Sequence, residues 1–369
     1  MANRKDEQGR LSVEGNVFSG RLPEDVNIAN TASSWAGVLW AMIIWPLPED
    51  KYTRAQLLAH ESWHRVQTGL GLAGSMPANN HLDSTDGRIW LQLEWRALAN
   101  ALIHRGTLRL EALKDALLFR AYRRTLFEEA SAQERALEMN EGLAEYTGIK
   151  LSGRPDVNAY VATQLKEAGK KETFVRSFAY ASGAAYGILL DEAGAKWRAN
   201  LTSAQDLGSL LQSALAIKLP PNIKDEAARA SAKYGGSALI AAETGRENHR
   251  RKRLAAYRAL LIEGHRLEIP LRRMSLQFNP NNLLPLDALG TIYPDIRIVD
   301  AWGILNVTKG ALLNASFTKV YVPAPTDSNA PLIRGDGWTL SLNPGWTIKS
   351  GTRTGDYVLQ KDVPSQIPR

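Results

Sequence analysis

The pentad HESWH at residues 60–64 has the pattern H-E-x-x-H, and the residues around it predict a helix over 54–69. Residues four apart on a helix lie about 40° apart around its axis, so His60 and His64 project side by side. Two imidazoles in that position can hold one Zn²⁺ ion at roughly 2.0–2.1 Å each. Glu61 then lies beside the open position of the metal, where it can take a proton from a water molecule. The spacing therefore predicts two zinc ligands and a general base.

The two histidines share their helix face with an apolar residue. Leu57, His60 and His64 follow the i, i+3, i+7 spacing of one face, and Gln67 continues it. We predict Thr53 as the N-cap of this helix. The alternative to a metal site is a helix with two buried histidines and a solvated glutamate. A buried imidazole needs polar partners, however, and one metal ion would satisfy both rings.

A later stretch, NEGLAEY at 140–146, offers carboxylates for the third protein ligand that a catalytic zinc ion normally has. Glu138, Glu141 and Glu145 stand at i, i+3, i+7 and share one helix face, which Leu and Ala residues border. This mixed face suits a position between core and cleft. The face is compatible with Glu141 as the ligand, in which case Glu138 and Glu145 are candidates for orienting the histidine rings.

Two other residues could supply the third ligand: a histidine shortly after the pentad, or Glu94. The metzincin pattern needs Gly and His after the pentad, and it is excluded because Gln67 and Leu70 occupy those positions. Glu94 remains an open alternative, since it lies beside the apolar face of a helix predicted over 88–104. A carboxylate there needs a partner, which could be the metal, Arg88, Arg96 or a histidine.

The pentad and the N-E-G-x-A stretch at 140–144 together resemble the gluzincins, zinc metallopeptidases whose third ligand is a glutamate on a later helix. In the aminopeptidase-type members this glutamate belongs to the N-E-G-x-A stretch, so the resemblance implies Glu141. The two motifs are 77 residues apart here, counted from His64 to Glu141, whereas those aminopeptidases separate them by about one short helix. The resemblance therefore implies an insertion between the motifs.

The same resemblance points to a group that stabilises the transition state. Aminopeptidase-type gluzincins carry a Y-x-x-G stretch after the third ligand, and Tyr180 to Gly183 match it. The resemblance implies that Tyr180 donates a hydrogen bond to the oxyanion. A structural alternative is that the small residues 181–185 let another helix approach closely. Tyr186, Tyr146 and Arg176 are the fallback donors.

Composition limits the kinds of site the chain can form. The 369 residues include no cysteine, which excludes disulfides and thiolate zinc sites and leaves nitrogen and oxygen ligands. The net charge is +7, and the excess includes the run HRRKR at 249–253 in a predicted helix. No aromatic residues accompany this run, so we interpret it as a solvated face and expect no nucleic-acid partner.

The N-terminus, MANRKDEQGRL, is polar and predicts no signal peptide, so the compartment stays open: cytoplasmic, or secreted with a signal already removed. The apolar run at 35–47 is too short to span a bilayer and predicts a core helix. We therefore expect a soluble protein with no membrane span.

The pattern predicts an α+β fold, with a mainly helical, zincin-like catalytic domain followed by a small C-terminal β domain. Helices predominate from 32 to 264, and alternating apolar and polar residues begin at 266. We place the domains at 1–265 and 266–369. The turn Asn343-Pro344-Gly345 is predicted to close a hairpin, and the role of the β domain is open.

These motifs predict a zinc-dependent metallopeptidase that acts on a peptide or protein substrate. His60, His64 and Glu141 would hold Zn²⁺, Glu61 would act as general base and Tyr180 would assist. The alternative is a non-catalytic binding or structural protein stabilised by zinc. Endo- or exopeptidase action, side-chain preference and oligomeric state do not follow from the residues.

Overall fold

The computed structural model describes residues 1–22, 29–72, 74–77, 79–279, 282–327 and 332–362. It divides into two compact units, Met1–Glu243 and Thr244–Arg369. The first unit is mainly helical, and the second consists mainly of strands. The predicted α+β class, with helices before strands, is confirmed.

The helical unit begins with two short hairpins and continues with packed helices. The hairpins are β1 (Ser12–Glu14) with β2 (Val17–Ser19), and β3 (Thr31–Trp35) with β4 (Val38–Met42). The helices are α1 (Lys51–Gln67), α2 (Thr85–Ile103), α3 (Gly106–Thr125), α4 (Ala130–Leu137), α5 (Leu143–Leu151), α6 (Val157–Ala168), α7 (Ser177–Glu192), α8 (Leu207–Ala214), α9 (Ile223–Ser231) and α10 (Gly236–Arg258).

The helix predicted from the apolar run at 35–47 is wrong, because this segment contributes to the β3–β4 hairpin. Trp35 pairs with Val38, which leaves Ala36 and Gly37 as a two-residue turn. Both turn residues have positive φ, 50° and 82°, as the tight turn that joins two twisted strands requires. The length of the apolar run is compatible with either a helix or a pair of strands. The Ala36-Gly37 turn makes this segment a hairpin.

α2 lies at the centre of the helical unit. Its buried residues include aliphatic and aromatic side chains along most of its length, and they join one hydrophobic cluster with α3, α5, α6 and α7. Because α2 is enclosed on several sides, its few polar residues need partners inside the protein. Glu94 is one of these buried polar residues.

A single turn of π-helix, Glu138–Gly142, joins α4 to α5 without a break. One extra residue in a helical turn shifts the faces before and after it, and such turns are frequent at functional sites. A break also separates the last two helices. Gly235, with φ of 69°, ends the turn after α9, and α10 begins at the next residue.

The second unit contains two sheets that share a hydrophobic core. Its strands are β5 (Arg266–Pro270), β6 (Ser275–Phe278), β7 (Leu284–Leu286), β8 (Gly290–Tyr293), β9 (Ile296–Asp300), β10 (Gly303–Val307), β11 (Ala311–Leu313), β12 (Lys319–Pro323), β13 (Pro325–Asp327), β14 (Leu332–Gly335), β15 (Trp338–Leu342), β16 (Trp346–Ser350) and β17 (Tyr357–Lys361). One sheet has the order β13-β14-β15-β10-β9-β6, and the other has the order β16-β17-β5-β12-β11-β8-β7. Asn343-Pro344-Gly345 therefore connects the two sheets, and the hairpin predicted there is wrong.

The change from helices to strands and the boundary between compact units fall at different residues. Strands begin with β5 at Arg266, whereas the units meet at Glu243 and Thr244, inside α10. Within the described ranges, none of the helices combines the length and apolar character that crossing a membrane requires.

Candidate metal centre

Three donor groups converge in the helical unit: the imidazoles of His60 and His64 and the carboxylate of Glu141. The two Nε2 atoms lie 3.2 Å apart. Oε2 of Glu141 lies 3.6 Å from Nε2 of His60 and 3.4 Å from Nε2 of His64. His60 and Glu141 are both only 6% exposed, so the donors meet at the edge of the core.

The size of this triangle fits a zinc ion. Ligand atoms about 2.0–2.1 Å from a tetrahedral centre are separated by roughly 3.3 Å, which is close to the three distances observed. A circle through the three donor atoms has a radius of about 2.0 Å, so a single position lies at bonding distance from all of them. Nitrogen and carboxylate oxygen are the donors expected of a catalytic zinc site.

α1 carries the two histidines, the π-helical turn before α5 carries Glu141, and α1 and α5 pack against each other. α1 begins after Asp50, whose side chain accepts a hydrogen bond from the backbone N–H of Thr53 at 2.8 Å. The N-cap predicted at Thr53 is therefore wrong by three residues, and Asp50 caps the helix. At the crossing, a Cβ on Gly148 would lie 2.7 Å from the carbonyl oxygen of Gln56. A residue without a side chain thus brings the two helices close enough for their polar groups to meet.

A chain of hydrogen bonds fixes the ring of His60. Its Nδ1 lies 3.0 Å from Oε2 of Glu145, one turn beyond Glu141. The other carboxylate oxygen of Glu145 accepts a hydrogen bond from Gln56 at 2.7 Å, and Gln56 in turn accepts one from Tyr160 at 3.1 Å. With Nδ1 held by a carboxylate, Nε2 is directed towards the donor cluster, which is the arrangement found around histidine ligands of zinc.

Gln67 fixes the second ring. Its Oε1 lies 3.1 Å from Nδ1 of His64, and its Nε2 donates to the carbonyl of Leu72 at 2.7 Å and to Oδ1 of Asn140 at 3.1 Å. The side chain of Gln67 is almost completely buried. In both histidines Nδ1 therefore contacts a protein side chain, and Nε2 faces the centre of the donor cluster.

Glu61 follows the first histidine and is buried, with 6% of its surface exposed. Within the described part of the chain, no group donates a hydrogen bond to its carboxylate. Burial raises the pKa of Glu61, and the neighbouring His60 and His64 offset only part of this effect. The carboxylate oxygens of Glu61 are not among the fully buried, unpartnered polar atoms of the described residues, so this carboxylate is open to a small partner such as water.

Tyr180 packs against the ring of His60. The two rings are stacked, with centroids 5.6 Å apart and an angle of 4° between their planes. The hydroxyl of Tyr180 lies close enough to Glu141 for each group to shift the pKa of the other. Burial, followed by the nearby Glu141, raises the pKa of Tyr180, so its hydroxyl keeps its proton and remains a donor.

Two glycines let α7, which carries Tyr180, approach the turn that carries Glu141. A Cβ on Gly142 would lie 2.9 Å from the Cα of Gly183 and 3.0 Å from the carbonyl oxygen of Ala179. The backbones are thus in direct contact. The small residues of α7 therefore have the structural function that the sequence offered as an alternative, and this packing also holds Tyr180 at the donor cluster.

The charges around the cluster favour a cation at its centre. Burial opposes charge on His60, but the nearby carboxylates of Glu141 and Glu145 outweigh it and raise the pKa of His60 to about 9. Burial would raise the pKa of Glu141, yet the nearby His60, His64 and Tyr180 hold it well below its usual range. The carboxylates therefore attract positive charge to the Nε2 atoms, and a metal ion would meet the same field.

Glu94 is not part of this cluster, so the alternative third ligand is wrong in this structure. It is fully buried and forms ion pairs with Arg120 and Arg123, and it accepts a hydrogen bond from Tyr186 at 2.7 Å. Glu138 also turns away from the histidines and pairs with Arg120. These carboxylates neutralise arginines inside the helical core.

The fallback donors take other positions. Tyr186 is engaged by Glu94, as described, and Tyr146 donates to Asp191 at 2.7 Å. Arg176 is exposed and lies 3.0 Å from the sulfur of Met76. Of the aromatic candidates named from the sequence, the structure brings only Tyr180 to His60 and Glu141.

The sequence did not indicate that Gln56 and Tyr160 support the site, nor that Gln67 holds the ring of His64. Gln56 stands four residues before His60, so helical spacing places it on the same face and could have indicated it. Tyr160 comes from α6 and had no local signal. Comparison of the chain with protein-family models, with curated proteins and with solved structures finds no match.

Proposed function

We propose that this chain is a zinc-dependent metallopeptidase of gluzincin type. The observation that carries the proposal is the triangle of donor atoms from His60, His64 and Glu141, whose sides of 3.2 to 3.6 Å suit one zinc ion. Glu61, buried and without a hydrogen-bond donor among the described residues, lies next to it. Ligands and base together match the requirements of metal-assisted hydrolysis.

Zinc would supply Lewis acidity, which polarises the scissile carbonyl and makes a water molecule acidic near neutral pH. Glu61 would accept the proton of that water at its carboxylate and later deliver it to the leaving amine. The hydroxyl of Tyr180 would donate a hydrogen bond to the oxygen that becomes negatively charged. Glu145 and Gln67 would keep both imidazoles oriented throughout.

The number of protein donors favours an enzyme over a zinc-stabilised structural protein. Structural zinc sites are normally closed by four protein ligands, and catalytic sites have three. The cluster in the described residues contains three, two histidines and one glutamate. A structural site would also have no use for Glu61, a carboxylate that accepts no hydrogen bond from the described residues.

The substitution Glu61→Gln tests the proposal. It keeps the size of the side chain and removes the base, so we expect one zinc per chain as in the wild type and a fall in peptide hydrolysis of about 10²–10⁴-fold. Glu49→Gln, at an exposed residue just before α1, is the matched control and should retain full activity. Hydrolysis of a mixed peptide library would be followed by mass spectrometry after zinc loading.

Two results would count against this function. If Glu61→Gln retained zinc and wild-type hydrolysis, Glu61 would not be the base. If wild-type protein bound zinc and cleaved none of the library, the non-catalytic zinc-stabilised protein would be the better account.

A further inference from the structure

A groove opens beside the candidate metal centre, between α5, α6 and α7, with a cavity of about 60 Å³. Its floor consists of aliphatic side chains that are buried or nearly so. These are Ile149, Val161, Ala168, Ala181 and Ala184. Gln164, Glu167 and Lys171 form an exposed polar rim.

The groove exists because three of the floor residues are alanines. Ala168 ends α6, and Ala181 and Ala184 stand one turn apart on the facing side of α7. Larger side chains at these positions would fill the space, as the rest of the helical core is filled. The five floor residues carry no charge and suit a small apolar group, whereas Glu145 at the inner end and Glu167 and Lys171 at the rim bring charged groups to the groove.

The inner end of the groove meets the residues that surround His60. Glu145, which holds Nδ1 of His60, and Tyr180, which stacks on its ring, both line the groove. Two residues that contact the His60 ring thus also line the groove. Consecutive Cα atoms of a peptide are about 3.8 Å apart, so a residue next to a reacting carbonyl can place its side chain there.

We propose that this groove is the specificity subsite for a branched aliphatic side chain, such as Leu or Val, on the residue adjacent to the cleaved bond. This proposal rests on the proposed peptidase function. The apolar floor supplies the affinity for the side chain, and the polar rim lets the rest of the peptide remain in water. Ligand pockets commonly combine an apolar lining with few polar groups at the edge.

Two neighbouring residues of α6 provide a matched test. Gln164 lines the groove and Thr163 does not, and both are exposed, so neither substitution disturbs the core. Gln164→Trp should cover the groove, whereas Thr163→Trp adds the same surface elsewhere. The substrates are alanine-based octapeptides in which one Leu or one Gly occupies each position in turn.

For the wild type and Thr163→Trp, we expect kcat/KM to be higher for Leu than for Gly at one position, by on the order of 10- to 200-fold. Gln164→Trp should lose this preference and keep its zinc. Ala184→Leu, which fills the groove from its floor, should do the same if its circular dichroism matches the wild type. A preference for Leu that survives in Gln164→Trp would overturn the proposal.

A binding measurement separates this proposal from the peptidase function. N-acetyl-leucinamide should bind the metal-free protein, as seen by ligand-detected NMR, more strongly than N-acetyl-glycinamide does, and Gln164→Trp should abolish the difference. Binding without hydrolysis by the zinc-loaded wild type would refute the peptidase and leave the groove as an apolar binding site. Hydrolysis with no side-chain preference, together with no binding, would refute the groove alone.

Discussion

Replacing Gly183 by alanine should separate the two elements that carry Tyr180 and Glu141. A Cβ at this position would overlap the Cα of Gly142 and would also lie 2.9 Å from its carbonyl carbon and 3.2 Å from its carbonyl oxygen. All of these are backbone atoms, which cannot rotate away. Non-bonded carbons normally approach to about 3.5–4.0 Å, so α7 would have to move by roughly 1 Å.

The size of the effect follows from that displacement. Overpacking of this kind costs about 1–3 kcal/mol of unfolding free energy. In a unit of this length, each kcal/mol lowers Tm by roughly 2–4 °C. The same movement shifts Tyr180 and Glu141 relative to the histidines, and we expect zinc affinity to fall by about 10–100-fold, as it does when groups around a metal site are disturbed.

Thermal unfolding and competitive zinc titration with a chelator would measure both quantities. Gly245→Ala is the control, because a Cβ at Gly245, in α10, meets no atom within 4 Å. Alanine should stabilise that helix by about 0.5–1 kcal/mol and leave zinc affinity unchanged. If Gly183→Ala matched this control in Tm and zinc affinity, the close backbone contact would not hold the site together.

Three further predictions concern single side chains. Glu145→Gln removes the carboxylate on Nδ1 of His60 and should weaken zinc binding by about 10–100-fold in a chelator titration; unchanged affinity would contradict the assigned role. Tyr180→Phe should retain one zinc per chain and lower kcat by about 10²–10³-fold, and an unaltered kcat would exclude Tyr180 as the oxyanion donor. Glu134→Gln breaks a fully buried pair with Arg123 and should cost about 3–5 kcal/mol at pH 7, measured by urea unfolding. Although burial opposes it, Arg123 holds the pKa of Glu134 well below its usual range, so the ion pair stabilises the protein above the unfolded pKa of about 4.3 and is lost progressively as pH falls. The difference between wild type and Glu134→Gln should therefore narrow below about pH 4, and a constant difference from pH 7 to pH 3 would contradict this sign.

Local periodicity was sufficient to predict the helices near the site. The helix expected over 54–69 is α1 (Lys51–Gln67), and the helix expected over 88–104 is α2 (Thr85–Ile103). These predictions depend only on residues three and four apart, which a helix brings together. The run at 35–47 failed because its conformation depends on two residues of positive φ, which hydrophobic periodicity does not reveal.

Among the side chains around the donors, contacts within one helix could be predicted from the sequence, whereas contacts between helices could not. The convergence of His60 and His64 follows from spacing within one helix, and Glu145 shares a face with Glu141. Glu94 could not be assigned from sequence, because its partners Arg120 and Arg123 lie 26 and 29 residues away on α3. A pattern shows that a buried carboxylate needs a partner, whereas only packing determines which one it obtains.

Zinc content of the purified protein tests the central claim most directly. Elemental analysis would compare the wild type with Glu141→Ala and Glu94→Gln, each checked by circular dichroism. We predict about one zinc per chain in the wild type, its loss in Glu141→Ala and its retention in Glu94→Gln. Absence of zinc from the wild type after reconstitution, or full retention in Glu141→Ala, would contradict the assignment of His60, His64 and Glu141 as a metal site.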